Sequence, residues 1–274
     1  LGFLVILLIL SGLLEFYFHQ KVLLNIPIRI HVNGTRGKSS VTRLVAAGLR
    51  EGGKKTFAKT TGTAPRIIDE MGKDRIIHRL RKPSIGEQTR LLNYFSNQQP
   101  DVVVIECMAV QPQYQWIAEH QMVKSHIGVI TNARPDHLEE MGPTNEDVAK
   151  SLCNTVPING LLITAENEQA DILEKVASEN NSKIIFTNDS SITAADVGGF
   201  KYLEHPQNIS IALDVCQEVG VNKKVAIRGM HKVQPDIGAL IVWELFSKDS
   251  VLQFINGMAA NDPVSTLQIW KFIL

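Results

Sequence analysis

The sequence has no surplus of charge: Lys+Arg and Asp+Glu both number 28 in 274 residues. Nothing in that balance argues for nucleic acid as a partner. Cysteine is scarce as well. Cys107, Cys153 and Cys216 lie far apart without metal-ligand spacing, which argues against a thiolate metal module and suits a reduced, cytosolic setting for the main body. No internal repeat or low-complexity segment is present, and no Ser-His-Asp or Cys-His arrangement stands out. The length allows one large core or two smaller ones.

What the chain does have begins at its N-terminus. "LGFLVILLILSGLLEFYF" runs with only Glu15 charged, which is enough for most of a bilayer crossing. Phe16, Tyr17 and Phe18 suit the interface, and Lys21 and Arg29 follow on the side expected to stay cytoplasmic. A signal peptide would want a basic start and a small-residue cleavage site, and neither is visible. A single-pass anchor over residues 1–20 is the expectation, with the rest of the chain on the cytoplasmic side of the cell membrane.

The stretch "IPIRIHVNGTRGKSSVTRLVAAGLREGG" (26–53) then joins a strand to a helix. Ile28, Ile30 and Val32 alternate with Arg29 and His31; Val41, Leu44, Val45 and Leu49 recur at helical spacing; Gly52-Gly53 supplies a stop. A loop at a helix N-terminus offers unpaired N–H groups and the positive end of the dipole to an anion. Gly34 and Gly37 allow close wrapping, Lys38 adds charge, and the Ser39 hydroxyl can ligate magnesium. The full G-x-x-x-x-G-K-[ST] pattern fails at Val32, so G-T-R-G-K-S is a shorter variant. A glycine-rich turn with a solvated lysine is the plain alternative.

Strands and helices alternate from residue 54 on. "KKTFAKT" reads as a strand. "DVVVIE" (101–106), "HIGVITN" (126–132), "LLIT" (161–164) and "KIIFT" (183–187) are apolar runs of the kind buried on both faces of a parallel sheet. Thr144, with Asp147 three residues on, opens a helix over 144–154 as a variant capping box. The expected fold is α/β, a parallel sheet with helices on both faces and ligands at the strands' C-terminal ends. Glu106 ends one strand and "NARPDHLEEMG" follows another, so a carboxylate and His137 stand where magnesium held by phosphate oxygens would bind. Histidine is not magnesium's usual ligand, and chemistry alone leaves His137 open.

Together, G-T-R-G-K-S after a strand, Glu106 at a strand end and D-H-L-E-E-M-G-P-T resemble the central domain of the Mur ligase superfamily. More narrowly, "NGTRGKSSVTRL", "KTTGTAPR", "ECMAV", "DHLEEMGPT" and "NGMAANDPVSTLQIW" resemble the ligase subunits of bacterial poly-γ-glutamate synthases, in order along the chain. The resemblance implies an ATP- and Mg2+-dependent amide ligase of the Mur ligase central-domain fold. ATP phosphates would sit on Gly34, Thr35, Arg36, Gly37, Lys38, Ser39 and Ser40, with Lys38 on the transferred phosphate. Magnesium would sit on Ser39, Glu106 and His137, and Asn208 would face adenine; a helix N-cap reads equally well for Asn208. Thr60, Thr61 and Thr63 fall where the second strand meets the loop. Residues 21–250 correspond to the ATP-binding central domain and 251–274, with a helix over 263–273, to the start of a C-terminal ligase domain.

The chain departs from the superfamily in two places. The position of its carbamoylated lysine is Leu152, with Lys150 out of register. Its acidic ribose contact falls near Asn256-Gly257, with Asp262 as a substitute. The implied reaction activates a glutamate γ-carboxylate as an acyl phosphate and joins it to an amine, building poly-γ-glutamate for a capsule or for secretion, with other membrane subunits as partners. A membrane-anchored phosphate-loop NTPase and a non-catalytic scaffold subunit are the alternatives. Finally, "KDRIIHRLRKPS" gathers Lys73, Arg75, Arg79, Arg81 and Lys82. It reads as a basic loop that could guide a polyanionic chain.

Overall fold

A computed structural model describes residues 1–62, 64–79, 83–236, 241–247, 250–256, 266–267 and 270. The chain opens with α1 (Gly2–Leu24), then β1 (Ile28–Asn33), α2 (Lys38–Glu51), β2 (Thr56–Thr60), β3 (Arg66–Ile68), β4 (Asp74–Ile76), α3 (Gly86–Ser96) and β5 (Val102–Glu106). There follow α4 (Pro112–Ile117) with a π-helical continuation (Ala118–Val123), β6 (Ile127–Ile130), α5 (Leu138–Met141), α6 (Asn145–Leu152), β7 (Leu161–Thr164), α7 (Ala170–Glu179) and β8 (Lys183–Phe186). The last described elements are α8 (Ala194–Gly198), α9 (Pro206–Glu218), α10 (Lys223–Met230) and the hairpin β9 (Ile241–Ser247) and β10 (Ser250–Asn256).

The apolar runs become strands of an eight-stranded sheet in the order β4-β3-β2-β5-β1-β6-β7-β8, buried in its interior and only partly covered at the β8 edge. From β2 to β8 every pairing is parallel, whereas β3 pairs with β2, and β4 with β3, in antiparallel fashion. The sheet is therefore mostly parallel rather than wholly so. "KDRIIHRLRKPS" is likewise not all loop, because Asp74–Ile76 forms β4.

Alternation along each strand divides the core in two. Ile30, Val32, Ala58, Val102, Val104 and Val129 pack under α2, α9 and α10. On the reverse face Phe57, Val103 and Ile105 pack under α3, and Ile130 and Leu162 under α6 and α7. The chain leaves β1 towards β2 and β5 on one side and continues to β6, β7 and β8 on the other. The carboxyl ends of β1, β5 and β6 thus flank a topological switch point, where such sheets hold their ligands.

The α1 helix is 23 residues long with a mean hydropathy of 1.9 in its most apolar window, which is unburied. At 1.5 Å per residue it spans about 34 Å, against about 30 Å of bilayer hydrocarbon. Its far end is clasped to the domain. Leu23 is buried, His19 Nε2 meets Met122 O at 2.8 Å, and Arg29 donates to Leu23 O at 2.7 Å, Ile26 O at 2.8 Å and Val123 O at 2.9 Å. Arg29, read from sequence as a charge on the cytoplasmic side of the anchor, is the bracket that fixes where α1 leaves the sheet.

The expected boundary after residue 250 falls inside β10, which pairs with β9 along its length. Of the expected helix over 263–273, residues 266–267 and 270 are helical, and the remainder lies outside the described residues, as do Gly257 and Asp262.

Candidate active site

The loop after β1 is built by two left-handed glycines. Gly34 has φ +131° and Gly37 φ +82°, conformations that side chains rarely adopt. Space forbids a side chain as well. A Cβ on Gly34 would collide with Thr131, and one on Gly37 would lie 2.6 Å from Asn208 Oδ1. The segment after β6 braces the loop from outside: Thr131 Oγ1 donates to Arg36 O at 2.6 Å, and Asn132 Oδ1 accepts from Thr35 Oγ1 at 2.7 Å and from Arg36 N at 3.1 Å. Lys38 is not a free surface lysine. Its Nζ folds back onto the loop, donating to Gly34 O at 2.6 Å and Thr35 O at 3.2 Å, which centres its charge over the α2 N-terminus.

Ser39, in the first turn of α2, donates to Glu106 Oε2 at 2.9 Å. Glu106 ends β5, is 2% exposed, and also accepts from Thr61 N at 2.7 Å and Thr61 Oγ1 at 2.5 Å. It is no edge charge, since β5 lies between β2 and β1 in the sheet interior. Three converging donors hold this carboxylate in one orientation at the switch point.

His137 stands apart from this pair. It caps α5 in a left-handed conformation, φ 47°, with its side chain about half exposed and 4.0 Å from both Asp136 Oδ1 and Glu140 Oε2. Asp136 pairs with Arg36 at 2.9 Å, which ties the D-H segment to the phosphate loop. Among the described residues no group of three His, Cys, Asp or Glu side chains could by itself hold a metal ion. The donors that do converge, Ser39 and Glu106, are hard oxygens, as magnesium prefers when phosphates and waters complete its shell. The residues present therefore fit a phosphate-bound magnesium ion. At the carbamoylated-lysine position Leu152 is fully buried, while Lys150 is exposed and paired with Glu146 at 2.7 Å.

Asn208 is not the N-cap of α9. That place belongs to His205, with Pro206 next, so Asn208 points from the first turn towards Gly37. Its Nδ2 donates to Glu204 Oε1 at 2.7 Å, leaving Oδ1 towards the loop. Burial pushes the Glu204 carboxyl up, and Ser40 and Tyr202 stand beside it. Asp236 is a further neighbour: a Cβ on Gly62 would lie 2.7 Å from Asp236 Oδ2 and 3.2 Å from Ser39 Oγ. Glu204, Asp236, Thr131 and Asn132 carry no motif, and sequence reasoning missed all four. Thr60 and Thr61 are where expected, and Thr63 lies outside the described residues.

The expected basic guide loop is altered. Arg79 is held by Glu87 at 2.7 and 2.9 Å, beside the fully buried Lys59, and Arg81 and Lys82 lie outside the described residues. Behind Glu106, on the reverse face, His31 Nδ1 meets Glu119 Oε2 at 2.8 Å, both buried. Burial opposes the charged imidazole, but Cys107 and Glu119 outweigh it and raise its pKa to about 9.

The Mur ligase middle domain matches residues 32–242, which contain the loop, Glu106, His137 and Asn208. The chain belongs to the Mur ligase family. Among curated relatives, the capsule biosynthesis protein CapB of Bacillus anthracis is 41% identical over 99% of this chain and 59% of its own length. The PGA synthase CapB of Bacillus subtilis (strain 168) is 40% identical over 95% of this chain and 67% of its own length. The chain thus spans roughly three-fifths to two-thirds of these relatives. Among solved structures, a bifunctional folylpolyglutamate synthase/dihydrofolate synthase with Mn, AMPPNP and L-glutamate bound superposes with TM-score 0.67 at 16% identity, over 94% of this chain and 69% of that one. An FPGS-AMPPCP complex gives TM-score 0.66 at 15% identity, over 96% of this chain and 76% of that one. At such identities these two show the shared Mur ligase fold.

Proposed function

We propose that the chain is the ATP-binding part of an amide ligase that activates a glutamate γ-carboxylate and joins it to an amine, extending poly-γ-glutamate. The carrying observation is the Ser39–Glu106–Thr61 cluster beside a phosphate loop at the switch point, in a Mur ligase chain about 40% identical to a PGA synthase along nearly all its length. A carboxylate is a poor electrophile at neutral pH, so phosphorylation must supply a leaving group. The γ-carboxylate oxygen takes the terminal phosphoryl group, ADP leaves, and the amine then displaces phosphate.

The protein's work is to position reactants and neutralise charge. The loop N–H groups and Lys38 face the phosphates, Asn208 Oδ1 is left to accept a hydrogen bond from the base, and Arg36 is steadied by Asp136. Ser39 and Glu106, with His137 as the third candidate, would hold magnesium, which would supply positive charge to the phosphate oxygens when bound. Glutamate, the growing chain and other membrane subunits are the partners in this reading. The apolar α1 serves as the anchor, with the sheet on the cytoplasmic side.

Incubation with ATP, magnesium, glutamate and hydroxylamine tests the activation step. Trapping of γ-glutamyl hydroxamate with equal ADP supports it. ADP release that is indifferent to glutamate supports a phosphate-loop NTPase instead.

A further inference from the structure

A cleft of about 700 Å³ runs along α2 between the β3–β4 edge and α10. Its walls bring together Arg43, Arg50, Arg66, Lys73 and Lys232 with Glu51, Glu70 and Asp74. Three of these cations are matched: Arg43 and Arg66 share Asp74 at 2.8 and 3.6 Å, and Lys232 meets Glu51 at 2.6 Å. Arg50 and Lys73 make no ion pair among the described residues. Arg50 gives only a 3.4 Å hydrogen bond to Thr56 O and lies 3.5 Å from where a Cβ of Gly72 would stand. Burial pushes its guanidinium down to about 10, outweighing the more distant charges of Asp69 and Asp74.

The upper end of the cleft, at Arg43, lies beside the active site. Arg43 Nη2 lies 3.5 Å from Asp236 Oδ1, and Asp236 and Ser39 crowd Gly62 from two sides. Arg66 pairs in register with Thr60, one residue before the Thr61 that holds Glu106. Asn208, towards which the base would lie, comes instead from α9. The cleft therefore approaches Ser39 through Arg43 and Asp236, from the α10 and β3–β4 side, leaving the α9 side to the nucleotide. From Ser39 to Arg50 the helix rises about 16 Å. A γ-linked glutamyl residue adds five backbone bonds, about 6 Å when extended, so about three residues, each carrying a carboxylate, span the distance from Ser39 to Arg50.

We propose that this cleft is the acceptor site for an anionic γ-glutamyl chain, with Arg50 and Lys73 receiving its carboxylates; the assignment rests on the ligase reading above. It replaces the 79–82 segment as the polymer track, since Arg79 is already committed to Glu87.

The test measures binding of a short fluorescent γ-glutamyl oligomer and, in parallel, of ATP, for the parent chain, Arg50→Glu/Lys73→Glu and Met71→Glu. Met71 lines the cleft and is 75% exposed, so its variant adds negative charge without disturbing the core, should the double variant fail to fold. Weakening of oligomer binding by about tenfold or more at low salt, with ATP binding unchanged, is expected. Parent-like oligomer binding by the Met71→Glu or the folded double variant, with ATP bound normally, overturns the cleft and leaves the ligase reading standing. A parent that binds no ATP sinks both.

Discussion

Replacing Glu106 separates the residue's structural role from its chemical one. Three donors converge on it: Ser39 Oγ at 2.9 Å, Thr61 N at 2.7 Å and Thr61 Oγ1 at 2.5 Å. Glu106→Ala strands all three. Hydrogen bonds to a charged group contribute about 1.5–3 kcal/mol each, but Ser39 and Thr61 are only partly buried, so water replaces much of the loss. A net destabilisation of roughly 2–3 kcal/mol follows, about 4–12 °C in Tm for a domain of this size. Glu106→Gln keeps an oxygen for Ser39 and Thr61 N and turns its NH2 to the Thr61 hydroxyl, which can accept. It costs about 1 kcal/mol, or about 2–4 °C. Both variants lose the negative charge, so both should need about tenfold or more magnesium for nucleotide turnover. Thermal melts and magnesium titrations of ATP turnover read the two effects separately. Parent-like magnesium dependence in a folded Glu106→Gln protein would refute the assignment.

Gly37→Ala should weaken ATP binding about tenfold, because φ +82° costs an L-residue about 1–2 kcal/mol and its Cβ pushes Asn208 Oδ1 from 2.6 Å; calorimetric titration reads it, and unchanged affinity would show that Asn208 is not against the nucleotide. Lys38→Ala should abolish turnover yet shift Tm by only a few degrees, since it loses two hydrogen bonds to loop carbonyls; retained turnover would contradict the phosphate assignment. The buried His31, held charged by Cys107 and Glu119, makes stability fall with alkali. With the folded pKa raised from 6.5 to about 9, its contribution of about 3 kcal/mol is full below pH 6.5 and lost as pH rises through about 9. Denaturant melts across that window should show the decline in the parent and a flatter profile in Glu119→Gln; parallel profiles would place the alkaline loss elsewhere.

The parallel strands were legible because burial on both faces leaves unbroken apolar runs such as 101–106 and 126–132, and the phosphate loop because its glycines and lysine follow one directly. The antiparallel edge was not. β3 and β4 are three residues each, and Arg66, Asp74 and Arg75 look like loop charge; in the fold Asp74 is shared by Arg66 and by Arg43 of α2, and Arg75 meets Asp69. The misplaced α9 cap had a readable signal in Pro206, which favours the first helical position and so makes His205 the cap. For Glu204 and Asp236 no local pattern exists. Each gains its place from contacts with α2 and its approach, more than 150 residues earlier in the chain. The partners of Arg29 and Arg79 were not legible, because sequence shows a side chain's type but not the carbonyls or carboxylate that claim it.

The reaction chemistry is tested most directly by isotope transfer. With glutamate carrying 18O in its γ-carboxylate, ATP and magnesium, the account predicts one 18O in each inorganic phosphate released with γ-linked amide, because the displaced phosphate departs with a carboxylate oxygen. Amide formed alongside 18O-free phosphate, or alongside AMP and pyrophosphate, would contradict it.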